Sequence, residues 1–168
     1  VLVMHPGPGP GQKKERQGPE GQLYRNWERQ FPEQMAQLAH STGAKKVREV
    51  SRNVRMGQTN VVFCEPERET SVYLPRLRQV IVLQAELFSR TDLQRLRARA
   101  APFGGVGRLD LVCDQPDDAT AVDRLQSVLD STDDEALVLA DYREGLGSEG
   151  WLLPGRSPDL DVLEAVAA

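Results

Sequence analysis

Histidine and lysine are scarce in this sequence, and their scarcity excludes more chemistry than the remaining residues suggest. Among 168 residues the only histidines are His5 and His40. Neither falls in the stretch from residue 58 onward that reads as an α/β core. A Ser-His-Asp or Cys-His arrangement there would have to borrow His40. Zinc sites built from Cys and His lack ligands, with two scattered residues of each type. The four lysines, Lys13, Lys14, Lys45 and Lys46, all precede that core. This ordering argues against a Walker-A, Schiff-base or nuclease lysine inside it.

Aromatic residues make up only 5%, so the core is expected to rest on Leu, Val, Ile and Ala. No apolar run approaches the roughly 18 to 20 residues needed to cross a bilayer. The longest, Val80 to Leu83 and Ala136 to Ala140, have the length of strands. Cys64 and Cys113 each sit inside an apolar stretch and read as buried free thiols. That suits an intracellular, reducing compartment, cytoplasm or organelle matrix. The opening Val-Leu-Val-Met is too short before Pro6 and Gly7 to read as a signal peptide.

What is present is charge, and it is polarised. Residues 1–109 hold 18 Lys+Arg and 10 Asp+Glu, a net of +8, whereas residues 110–168 hold 3 and 15, a net of −12. Such asymmetry points to a partner or to an intramolecular electrostatic match.

The spacing divides the chain into three. Residues 1–22 are rich in Pro and Gly from His5 onward, with little apolar surface to bury, and read as a flexible arm. Residues 23–57 read as a basic helical segment. Pro32 and Gly43 bracket a first helix ending near Thr42, with Leu23, Tyr24, Trp27 and Phe31 docking upstream. In Ala44 to Met56, Val47, Val50 and Val54 share one helical face and Lys45, Arg48, Arg52 and Arg55 the other.

Residues 58–168 alternate strand and helix. Strands are expected at Asn60–Cys64, Thr70–Leu74, Gln79–Leu87, Arg108–Cys113, Ala136–Ala140 and Trp151–Leu153. Helices are expected at Asp92–Ala101 (Thr91 and Gln94 forming a capping box), Asp117–Asp130 and Pro158–Ala167. The fold class is α/β, a two- or three-layer sandwich. It has a βαβαβ mostly parallel core, extra edge strands, an N-terminal helical extension and a C-terminal helix.

The glycine motifs are weak. Gly145-Leu-Gly147-Ser-Glu-Gly150 matches G-x-G-x-x-G as a string, but no helix follows to face a pyrophosphate. Gly104, Gly105 and Gly107 lie between a helix and a strand, the wrong order for a phosphate loop.

Two functional readings compete with a third. In the first, the chain is a non-catalytic interaction protein. It docks into a larger assembly, with an RNA or protein partner, through Lys45, Arg48, Arg52 and Arg55 together with Lys13, Lys14 and Arg16 of the arm. Arg90, Arg95, Arg97 and Arg99 add a second basic helix face, and pairing of basic with acidic parts could also join copies into a homo-oligomer.

In the second, Asp114 and Asp141 at strand carboxyl ends hold Mg²⁺, with Ser89 or Thr91 nearby. Such an enzyme would act on an anionic or phosphorylated small molecule. The plainer role for aspartates there is turn chemistry, with Asp117 or Asp118 capping a helix. The third reading is a regulatory, ligand-sensing domain. No cofactor or metal is expected except Mg²⁺ under the second reading.

Overall fold

The computed structural model describes residues 1–7, 24–25, 27–29, 32–75, 77–100, 107–113, 117–129 and 135–139. Six strands form one sheet: β1 (Leu2–Met4), β2 (Met35–Leu38), β3 (Val61–Cys64), β4 (Gln79–Val82), β5 (Arg108–Cys113) and β6 (Glu135–Leu139). Their order is β2-β3-β1-β4-β5-β6, and every pairing is parallel. The helices are α1 (Ala44–Arg55), the single turn α2 (Pro66–Glu69), α3 (Arg90–Ala100) and α4 (Ala119–Gln126). The α/β class with a parallel core is therefore observed.

The apolar runs explain the sheet's centre. Every residue of Leu2–Met4, Val61–Cys64 and Gln79–Val82 is buried, as strands covered on both faces require. Alternate side chains go to opposite layers. Leu2, Met4, Cys64 and Val82 pack with Val47 and Val50 of α1, Leu93 and Leu96 of α3 and Leu125 of α4. Val3, Phe63 and Ile81 pack on the other side with Tyr24 and Trp27, which belong to a helical segment within residues 24–29. Tyr24 and Trp27 both meet the Phe63 ring edge-on, at centroid distances of 5.2 and 5.7 Å. The result is three layers.

The amino-terminal third departs from expectation. Residues 1–5 are not an arm: Leu2–Met4 is the central strand, paired on both sides, and His5 is buried behind it. Three residues carry no readable periodicity, and only pairing with β3 and β4 gives them structure. The helix expected from Pro32 is instead a turn followed by β2. Met, Ala, Gln and Leu are good helix formers, yet Met35–Leu38 pairs with Val61–Cys64 over its full length. Tertiary pairing overrides the local preference.

Thr70–Leu74 is irregular rather than extended. The cap of α3 is Ser89, whose hydroxyl accepts the Asp92 N–H at 3.1 Å, not the box expected from Thr91. The expected strand Gln79–Leu87 is extended only over Gln79–Val82, and Ala85–Leu87 forms a 3-10 turn instead. The remaining expected strands and helices appear within a few residues, except the strand near Trp151 and the helix from Pro158. Those two, with residues 8–22, lie outside the described residues.

Candidate functional site

In a parallel sheet with helices on both faces, ligands bind beyond the strand carboxyl ends where neighbouring connections leave toward opposite faces. Here that point is β1. Its connection to β2 carries Tyr24 and Trp27 on one face of the sheet. The connections out of β2, β4 and β5 carry α1, α3 and α4 on the other. The residues just past β1, β3 and β4 are thus the candidate site.

The β1 ladder runs one step beyond the strand. The His5 N–H donates to the Cys64 carbonyl at 3.2 Å and the Leu83 N–H to the Met4 carbonyl at 2.8 Å. His5 is 1% exposed. Its Nδ1 accepts the Gly7 N–H at 3.3 Å, so in the neutral ring the proton sits on Nε2. Burial pulls the His5 pKa down to about 4, which keeps the ring neutral at pH 7. Among the described residues, Nε2 is buried with no hydrogen-bond partner. It is an unused N–H donor at the switch point, a costly state that calls for an acceptor.

Gly7 turns the chain at φ +83°, and a Cβ built on it would stand 3.1 Å from Cδ of Glu65. Only glycine combines that backbone with that approach. Glu65, just past β3, is itself buried. Its Oε2 accepts the His40 N–H at 2.7 Å, and Arg68 donates to the His40 carbonyl through Nη2 at 2.7 Å. The loop after β2 is thereby tied to the end of β3. On the other flank Gln84, past β4, adopts the left-handed conformation at φ 50°, uncommon for a residue with a side chain.

Several expected site residues lie elsewhere. Lys13, Lys14, Asp114 and Asp141 are outside the described residues, so the Asp114–Asp141 pairing is not observable. Ser89 is occupied as a helix cap, and Asp118 caps α4 by accepting the Ala121 N–H at 3.1 Å. His40 meets Glu65 and Arg68 through its backbone N–H and carbonyl. The exclusion of a phosphate-loop lysine does not hold, since it assumed a core starting near residue 58. With β1 at Leu2–Met4, Lys13 and Lys14 follow the central strand.

The basic features divide. Lys45, Arg48, Arg52 and Arg55 are all exposed on α1. Arg95 and Arg99 of α3 instead turn to the carboxylate of Glu69, which is 1% exposed. A further buried carboxylate, Asp110, lies near the amino ends of β4 and β5. It is held by Gln79 Nε2 at 2.8 Å and Arg108 Nε at 2.8 Å, and burial pushes its pKa up. It belongs to the sheet's scaffold, away from the switch point.

Among the described residues no three His, Cys, Asp or Glu side chains gather as a metal cage, and no helix is long and apolar enough to cross a membrane. Comparison of the chain with known protein families, with curated proteins and with solved structures finds no match.

Sequence reasoning missed His5, Gly7 and Glu65. The available signal was the order of events: four apolar residues, a glycine run, a lysine pair, then an amphipathic helical stretch.

Proposed function

We propose that the protein binds a phosphorylated small molecule, of the nucleoside polyphosphate class, together with Mg²⁺ at the carboxyl end of β1. The observation that carries this reading is the junction of Gly7 with Glu65. The central strand passes straight into a left-handed glycine, which packs on a carboxylate at the end of the adjacent strand.

In sequence, Gly9, Gly11, Lys13 and Lys14 follow. Strand, glycine loop, lysine, helix is the succession in which backbone N–H groups cradle phosphates and a lysine neutralises them. A carboxylate on a neighbouring strand suits the accompanying cation. Mg²⁺ commonly takes one or two protein carboxylates and completes its shell with water and phosphate oxygens, so a single Glu65 suffices without a protein cage. The unused Nε2–H of His5 offers a further donor to a ligand oxygen.

The same residues argue for binding rather than fast turnover. Counted from Gly7, the spacing G-x-x-x-x-G-K-[ST] finds Gln12 at the second glycine, Lys13 at the lysine and Lys14 at the hydroxyl position. The hydroxyl that ordinarily holds Mg²⁺ is missing. Pro8 and Pro10 also remove two backbone donors. A ligand-responsive domain fits these departures better than an efficient hydrolase.

The test is calorimetric titration of the full chain with ATP, GTP, ADP and pyrophosphate, with and without Mg²⁺. Expected is Mg²⁺-dependent binding that weakens by about tenfold or more in Lys13→Ala and Glu65→Gln. Absence of binding to all four at millimolar concentration would sink the reading.

A further inference from the structure

A second feature of the molecule stands apart from the switch point. Helix α1 buries Val47 and Val50 against the sheet and turns Lys45, Arg48, Arg52 and Arg55 outward. Their spacing of three, four and three residues sets them in one row along the helix, about 15 Å long at the usual rise. None of these four side chains makes a hydrogen bond or ion pair among the described residues, whereas the neighbouring Lys46 is paired with Glu49 at 3.0 Å. The nearby Glu49 carboxylate offsets part of the row's charge at Lys45 and Arg52, and an opposing row of carboxylates would relieve the rest.

The row has apolar flanks. Met56, one turn beyond Arg52, is 61% exposed, and Tyr73 is 62% exposed. The Tyr73 N–H donates to Ser51 Oγ at 3.1 Å, which holds the Tyr73 backbone against the middle of α1. Arginine, tyrosine and methionine together are the composition of protein-binding surfaces.

We propose that this outer face of α1 docks an acidic, amphipathic helical segment of a partner protein. Carboxylates at spacings of three and four residues would meet Arg48, Arg52 and Arg55, and apolar side chains would settle on Tyr73 and Met56. A protein helix fits better than a nucleic acid. Glu67 is exposed past β3, and the chain as a whole carries −4. A long polyanion would meet that opposing charge, while one short acidic helix would not.

The experiment uses the full chain and two fluorescent probes of equal negative charge: a synthetic helical peptide with glutamate and leucine at this spacing, and an oligouridylate. Expected is peptide binding that weakens steeply between low and moderate salt and drops at least about tenfold in Arg48→Glu/Arg52→Glu/Arg55→Glu. Tyr73→Ala, which leaves the charge intact, is expected to weaken it severalfold with the salt slope unchanged. A milder triple Arg→Gln variant, with circular dichroism of each protein, separates lost docking from lost folding. Peptide binding indifferent to the arginines in a folded variant overturns the proposal, and so does tighter binding of the oligouridylate. Nucleotide binding at β1 is expected to be unchanged in all these variants, so the two proposals fail independently.

Discussion

The Gly7 N–H donates to Nδ1 of His5 across 3.3 Å, and this short link joins the buried end of the central strand to the turn that leaves it. It fixes the imidazole as a neutral ring with its proton on the far nitrogen.

Acid sensitivity follows from that ring. His5 titrates near 4 when folded, against 6.5 for an unburied histidine. Between those values the unfolded chain binds the extra proton and the folded one does not. The stabilisation from keeping His5 neutral is therefore complete above about pH 6.5 and is lost as pH falls toward 4, to the extent of about 3 kcal/mol. Urea midpoints across this window are expected to fall in the native chain and to fall less steeply in His5→Gln. Parallel slopes would show that His5 is not the group responsible.

Gly7→Ala is expected to lower stability by about 1–2 kcal/mol, the ordinary cost of a Cβ in left-handed backbone, because the new methyl also presses on Glu65. Nucleotide binding should fall with it. A denaturation midpoint equal to that of the native chain would contradict the geometry of this turn.

Glu69 anchors α2 to α3. Its buried carboxylate accepts from Arg99 and from Arg95, the latter at 3.2 Å, while Arg99 Nη2 also donates to the Val72 carbonyl at 2.5 Å. Glu69→Ala strands a partly buried guanidinium and is expected to cost about 3 kcal/mol. Arg95→Ala, at a side chain 43% exposed, should cost under about 1 kcal/mol. Equal losses in the two variants would refute the unequal roles assigned to the pair.

Burial and the nearby Glu69 carboxylate push the Cys64 thiol up to about 12, and Cys113 is also buried. Because the thiolate is the reactive form, neither cysteine should react with iodoacetamide near pH 8 in the folded protein. Both should react on unfolding. Fast labelling of Cys64 under native conditions would mean that the end of β3 opens readily.

Local pattern made much of the architecture legible. Valines at helical spacing opposite a basic row read correctly as α1, and unbroken apolar runs read correctly as β3, β5 and the first half of the strand expected from Gln79. The functional edge was harder to read. Glu65 carries no local mark of its place, because nothing local shows that β3 ends beside a glycine turn 58 residues earlier in the chain. The arginines of α3 read as a binding face in the sequence, but two of them turn to the buried Glu69 carboxylate.

By itself the sequence determined the α/β class, the parallel core and the exposed basic row of α1, since periodicity over ten or so residues dictates which face is buried. Only the tertiary structure decided that Leu2–Met4 is the central strand, that Met35–Leu38 is extended and that His5, Gly7 and Glu65 meet. Strands of three or four residues carry almost no preference of their own. Their conformation comes from hydrogen bonds to neighbouring strands and burial beneath both helical layers, so it exists only once the sheet has assembled.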